Sequence, residues 1–228
     1  MRQNALKKTV AASLLFFVLL AFTFTGNTAD QKQHVPATQQ RFDDINVWVK
    51  RFEDPARDSW QQPDKVVKAM ELKPGDVVAD IGAGTGYFTR RFAAAVRPEG
   101  KAIGLDIEQS MVDYMKEDAK KLNLNNYEAR VVKTDNPELA PNSVDVIFLC
   151  DTYHHIDNRV EYFKNASKSL KKGGRVIIVD FHKDTDFGPP RDHKLAKEIV
   201  LKEMEQAGYH LKKDLDVLMQ QYYLEYGL

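Results

Sequence analysis

Ile45, Trp48, Val49 and Phe52 fall at i, i+3, i+4 and i+7, the stripe of an amphipathic helix. A second short helix follows Pro63 and uses Val66, Val67 and Met70, with the proline suited to its first turn. Beyond the turn Lys73-Pro74-Gly75-Asp76 the pattern changes. Short, almost wholly apolar runs at 77–81, 101–106, 127–132, 144–149 and 175–180 predict strands. Amphipathic stretches at 87–96, 110–122, 160–170 and 195–207 predict the helices between them. Phe88, Phe92 and Val96 mark the buried face of the first of these, and Pro98-Glu99-Gly100 ends it. Ser110 with Asp113 reads as a capping box for the second, and Gly173-Gly174 as the stop of the third. Gly208 stops the last helix, and 209–216 with 220–226 predict a closing pair of strands. Apolar strands alternating with helices define an α/β, Rossmann-like, doubly wound and mostly parallel sheet, covered on both faces. Ligands of such sheets bind beyond the carboxyl ends of the strands, at the switch point of strand order.

The first residues follow a different logic. Residues 1–8 are basic, and 10–24 form an apolar run broken only by Ser13 and Thr23. That order is the order of a secretory signal, and the run is shorter than the roughly 20 residues of a bilayer span. Residues 1–29 are therefore expected to be a signal peptide, with an uncleaved anchor as the alternative because Asn27 is a poor residue for the cleavage site. Either reading sends the domain outward, exported to the periplasm or medium or anchored to the membrane through residues 10–24. Residues 30–40 read as a polar linker, 41–73 as capping helices and 74–228 as the main domain.

Lys plus Arg and Asp plus Glu are both 33, a formal net charge of zero. The three cations of the leader conceal a net of −3 over the rest of the chain, with no basic stripe. Binding to nucleic acid, which works by neutralising phosphates, is not expected. Oligomeric state leaves no signal here. The single cysteine, Cys150, excludes an internal disulfide and a multi-thiolate zinc site, and its place in an apolar run reads as a buried, inert thiol.

The chemistry gathers at Asp80-Ile81-Gly82-Ala83-Gly84-Thr85-Gly86, where the first strand ends and a helix opens. Glycines there let the backbone turn tightly and approach a ligand closely. Tyr87 stands where a dinucleotide fingerprint needs its third glycine, and no Gly-Lys-Ser/Thr phosphate loop is present. Asp106 closes the second strand, where an acid can hold both hydroxyls of a ribose.

These residues resemble the class I S-adenosylmethionine-dependent methyltransferases. The resemblance runs through VVADIGAGTGYF at 77–88, GLDI at 104–107, VKTDNPEL at 132–139, VDVIFLCDTYHHI at 144–156 and LKKGGRVIIVDF at 170–181. It implies a seven-stranded sheet with the last strand antiparallel, S-adenosylmethionine as cofactor and methyl transfer as activity. Asp80, Gly82, Ala83, Gly84, Gly86 and Tyr87 would then cradle the cofactor, with Met111 in the helix beyond. Asp106 would hold the ribose, Ile107 flank the adenine, Asp135 lie near its amino group, and Asp151 border the transfer pocket. The segment RFEDPARDSWQQPDKVV at 51–67 resembles the leading segment of a methyltransferase subgroup, and Arg57, Trp60 and Gln61 are its candidates for reaching inward.

In-line methyl transfer needs alignment foremost, and a base only where the acceptor carries a proton. Tyr153, His154 and His155 after the fourth strand are candidates for catalysis; His182 and His193 are candidates for the acceptor side. Their spacings match no metal-ligand pattern, so no metal is expected. A small-molecule acceptor is the leading expectation; an envelope protein or lipid, or cofactor binding without transfer, are the alternatives.

Overall fold

The computed structural model describes residues 44–228; the expected signal or anchor, the linker and residues 41–43 lie outside the described residues. Three short helices come first: α1 (Ile45–Phe52), α2 (Arg57–Gln61) and α3 (Pro63–Ala69). Asp44 caps α1, its side chain accepting from the Asn46 amide at 2.9 Å. Gln62 turns the chain between α2 and α3 in the left-handed region, and Pro63 opens α3. Val66 and Met70 are wholly buried in the same core as Phe88 and Phe92, so packing is continuous across residue 73.

Then follow β1 (Val77–Ile81), α4 (Thr89–Ala95), β2 (Lys101–Asp106), α5 (Gln109–Lys121), β3 (Tyr127–Val131), β4 (Val144–Cys150), α6 (Arg159–Ala166), β5 (Leu170–Phe181), α7 (Lys197–Gln206), β6 (His210–Leu215) and β7 (Gln221–Gly227). The seven strands form one sheet in the order β3-β2-β1-β4-β5-β7-β6, with β7 alone antiparallel to its neighbours. Strand order reverses between β1 and β4, which pair through Val78↔Val146 to Ile81↔Leu149. One face packs Val78, Ala102, Val146, Phe148 and Val179 on α3, α4 and α5. The other packs Ile81, Leu105, Ile147, Leu149 and Ile178 on α6 and α7. The inner strands are thus mostly apolar on both sides, as a two-faced sheet requires, with buried Asp80, Asp106, Asp180, Gln221 and Glu225 as exceptions.

Two local expectations are corrected. Helix α5 begins at Gln109 after Glu108, and no side chain caps it; Asp113 accepts from Gln109 Nε2 at 2.8 Å and not from a cap. Helix α6 ends at Ala166, followed by a 3-10 turn over Ser167–Ser169. Gly173 and Gly174 belong instead to β5, where pairing with β4 shifts from Val144↔Leu170 to Val146↔Arg175. A glycine at φ +79° accommodates that bulge.

Candidate active site

The switch point lies where β1, β4 and β5 end, and the polar side chains of the sheet collect there. Gly82, Gly84 and Gly86 all have positive φ. A Cβ on Gly82 would lie 2.4 Å from Thr152, and one on Gly86 would lie 1.7 Å from the Tyr127 hydroxyl. Only glycine fits, and the loop folds back so that the Gly82 and Ala83 amides donate to the Leu105 carbonyl at 2.8 and 3.0 Å.

Asp106 accepts from the Gly84 amide at 2.8 Å and from the Glu108 amide at 3.0 Å. Two backbone donors fix the carboxylate and leave lone pairs for a further pair of hydroxyls. Ile107, next to it, is 43% exposed and flanks the space over the loop. Asp80 is buried and accepts from Thr89 Oγ1 at 2.6 Å. Burial foremost, then the charge of Asp106, pushes Asp80 up to about 7 against the pull of Thr89 and Arg57.

Asp151 follows β4 with φ 54°, a sparsely populated conformation for a residue other than glycine. The turn delivers its carboxylate to Gln221 Nε2 at 2.5 Å. Gln221 in turn accepts from Gln61 Nε2 at 2.6 Å, and Gln61 from Arg57 Nη2 at 3.4 Å. This chain of amides ties α2 to the ends of β4 and β7. Burial, with the charge of Asp180 behind it, raises Asp151 to about 7.

The leading segment closes over the loop. The Phe52 ring lies where a Gly84 Cβ would touch it, at 3.4 Å. Glu53 accepts from Thr85 Oγ1 at 2.5 Å and pairs with Arg90 at 2.6 Å; these contacts overcome burial and hold it below the usual carboxylate range. The Tyr87 hydroxyl donates to Asp58, and its ring lies between Arg57 at 3.9 Å and Arg91 at 4.2 Å. Arg57 Nε is buried with no hydrogen-bond partner among the described residues. Trp60 packs on Phe181 and Phe187, with ring centroids at 5.8 and 5.1 Å.

The histidines separate. His154 Nδ1 meets both oxygens of the fully buried Asp180, at 2.9 and 2.8 Å. Burial alone would lower this imidazole, but the bond and charge of Asp180, with Asp151 beyond, leave it above its ordinary value. His155 lies against His154, ring centroids 4.1 Å apart; desolvation and the charge of His154 push it down to about 4. Tyr153 is not brought to the site. It is wholly buried between α6 and α7, stacks on Phe163 and donates to Glu203 at 2.9 Å. Met111 is buried at the start of α5, and Asp135 is exposed after β3. His182 is half-buried beside the Tyr222 ring at 5.8 Å, and His193 sits exposed in a 3-10 turn. Among the described residues no group of three His, Cys, Asp or Glu side chains could hold a metal.

Sequence reasoning missed Glu53, Asp58, Thr89, Asp180 and Gln221. Asp180 left a signal, a lone acid closing the apolar run 175–179. Gln221 left none, since its partner Gln61 is 160 residues away.

A glycine cradle at the β1 end, an acid closing β2 and the strand order above define the class I S-adenosylmethionine-dependent methyltransferase architecture. The chain belongs to the methyltransferase-domain family, whose pattern it matches over residues 72–223. It is 34% identical over 119 residues to phosphoethanolamine N-methyltransferase 1 of Arabidopsis thaliana, spanning 50% of this chain and 23% of that protein. It is 28% identical over 154 residues to a ubiquinone/menaquinone biosynthesis C-methyltransferase of Ectopseudomonas mendocina, spanning 66% of this chain and 58% of that one. The solved structure of a SAM-dependent methyltransferase from Aquifex aeolicus matches with a TM-score of 0.75 and 28% identity, over 80% of this chain and 97% of that one. The [4+2]-cyclase SpnF shares the fold at a TM-score of 0.60 and 19% identity, over 69% of this chain and 59% of that one. Fold alone therefore does not fix the reaction.

Proposed function

We propose that the chain is an S-adenosylmethionine-dependent methyltransferase acting on a small-molecule acceptor. The observation that carries this reading is the glycine cradle with Asp106 fixed at its rim. The residues fit the cofactor's chemistry group by group. Asp106 has free lone pairs for the ribose hydroxyls, and Ile107 offers an apolar edge to the adenine. Asp80 and Asp151 form an electronegative hollow that favours a sulfonium and an ammonium. Arg57, with Nε unpartnered, is the cation suited to the methionyl carboxylate. When bound, the cofactor supplies an electrophilic methyl group. The chain's own residues then orient it, exclude water through α1 and α2, and hold the acceptor beyond β4 and β5. An arsenite methyltransferase of Halobacterium salinarum is 28% identical over 116 residues, but here the lone Cys150 thiol is raised well above its ordinary range by burial first. A soft acceptor that needs reactive thiolates does not suit this site.

Asp106→Ala tests the reading. Loss of the charge-assisted bonds to ribose weakens S-adenosylmethionine binding by about 10- to 100-fold while circular dichroism stays unchanged. Unchanged affinity would contradict the assignment.

Export through residues 1–29 is the proposal for location, with an anchor at 10–24 as its alternative. Fractionation of cells making the full chain places it in the periplasm or medium, or on the membrane if the anchor is kept. Recovery of the unprocessed chain in the cytosol would contradict both.

A further inference from the structure

One cluster at the end of the sheet is not used by cofactor binding. His154 Nδ1 is held by both oxygens of Asp180, which leaves Nε2 as the only free ring nitrogen. Among the described residues Nε2 has no hydrogen-bond partner. Tyr222 stands directly across from Asp180 in the β5–β7 ladder, so both side chains leave the same face of the sheet. Among the described residues its hydroxyl is buried without a hydrogen-bond partner, near Asp180 first and then Tyr153, Tyr226 and Asp151. Asp151 feels both Arg57, which caps the glycine loop, and His154. The cluster therefore adjoins the transfer site from the acceptor side.

Resting on the methyltransferase reading, we propose that His154 and Asp180 form a base dyad for an acceptor hydroxyl, a phenol or enol, whose oxygen Tyr222 orients. An amine suits the cluster poorly. Two carboxylates nearby hold an ammonium in its charged form, which has no lone pair to donate. A hydroxyl arrives neutral and loses its proton to the base. In the step, the acceptor O–H bond breaks as His154 Nε2 takes the proton. The oxygen lone pair forms the new bond to the methyl carbon, and the carbon–sulfur bond breaks with its electron pair left on sulfur. The imidazolium is held by Asp180 and later returns its proton to solvent. Asp180 is thus a positioning residue that fixes the tautomer and the ring. The charged groups facing His154 are Asp180 from β5, Asp151 from the end of β4, Arg159 from α6 and the neighbouring His155.

The test uses the full-length protein, labelled S-adenosylmethionine, catechol and simple phenols, and arylalkylamines of matched size. Binding of the cofactor is measured first by titration. Binding with transfer to phenols and not to amines is expected. Transfer to amines in place of phenols, or to neither class, overturns the dyad and leaves the methyltransferase reading standing. Absence of cofactor binding overturns that reading itself. His154→Gln should lose about 100-fold or more in kcat on a phenol. On a nitrophenol already ionised at the assay pH it should lose only a few-fold, because no base is then needed. Equal losses on both acceptors would show that His154 merely holds the loop. Should His154→Gln not fold, Tyr222→Phe decides. It should raise KM for phenols about fivefold, the worth of one hydrogen bond, and an unchanged KM overturns the proposal.

Discussion

Asp80 and Asp151 are carboxyls whose surroundings favour the proton. Burial raises both to about 7, and each lies near a second carboxyl, Asp106 for one and Asp180 for the other. A folded-state value above the unfolded one means that the native protein binds more protons in between. These two groups therefore take stability away as pH rises from about 4 toward about 7. A cationic ligand in the hollow reverses the preference, since it is attracted to the ionised form. Binding must then release protons below about pH 7, and affinity must fall with falling pH. Titration of the full chain with S-adenosylmethionine at pH 6 and pH 8 should show tighter binding at pH 8, by up to about tenfold per unit below the free-state value for each carboxyl that faces the ligand. Equal affinities at the two values would mean that neither carboxyl faces the ligand's charge.

Elements explain how this hollow is closed. Helix α1 buries none of its residues fully, and its stripe of Ile45, Trp48, Val49 and Phe52 is only half covered. Beside the packing of Trp60 on Phe181 and Phe187, what fastens α1 and α2 is polar: Glu53 on Thr85 and Arg90, Asp58 on Tyr87 and Arg91, and Gln61 on Gln221. The bonds of Glu53 and Asp58, partly open to water, contribute modestly each, while the Gln61–Gln221 bond is buried; the former suit a cover that must admit and release a ligand. Among the described residues of this cover, Arg57 of α2 is the one cation with an idle buried donor, Nε. Arg57→Met should weaken S-adenosylmethionine binding about tenfold or more, the worth of a charge-assisted bond. It should leave the decarboxylated analogue little affected, and equal losses on both compounds would reduce Arg57 to a packing residue. At this scale the sequence was readable where periodicity was strong. The strands at 77–81 and 101–106 lie where the apolar runs put them, because a two-faced sheet keeps its inner positions apolar and admits Asp80 and Asp106 only near the carboxyl ends. Helix ends were less readable. Gly173-Gly174 has the chemistry of a helix stop, yet the fold spends it on a bulge in β5.

For the whole molecule, the strand order puts the ends of β1, β2, β4 and β5 at one edge, and with them Asp80, Asp106, Asp151 and Asp180. Asp80 and Asp106 were legible because local motifs announce them, glycines after an apolar run and an acid closing a strand, while Asp151 was implied by the family resemblance alone. The acceptor side was legible only as a set of histidines, since one-dimensional spacing cannot say which imidazole meets Asp180 and which, like His193, stays in solvent. Tyr153 illustrates the same limit, for its partner Glu203 lies 50 residues on and draws it into the α6–α7 core. Seven strands with β7 reversed also bring Tyr222 and Gln221 to this edge from the far end of the chain. What the glycine cradle binds therefore decides the role of the whole edge. The most direct measurement is calorimetric titration of the full-length protein with S-adenosylmethionine, S-adenosylhomocysteine and NAD. Micromolar binding of the two sulfur compounds and none of NAD is the predicted result. Binding of NAD, or of none of the three by a folded sample, would contradict the site described above.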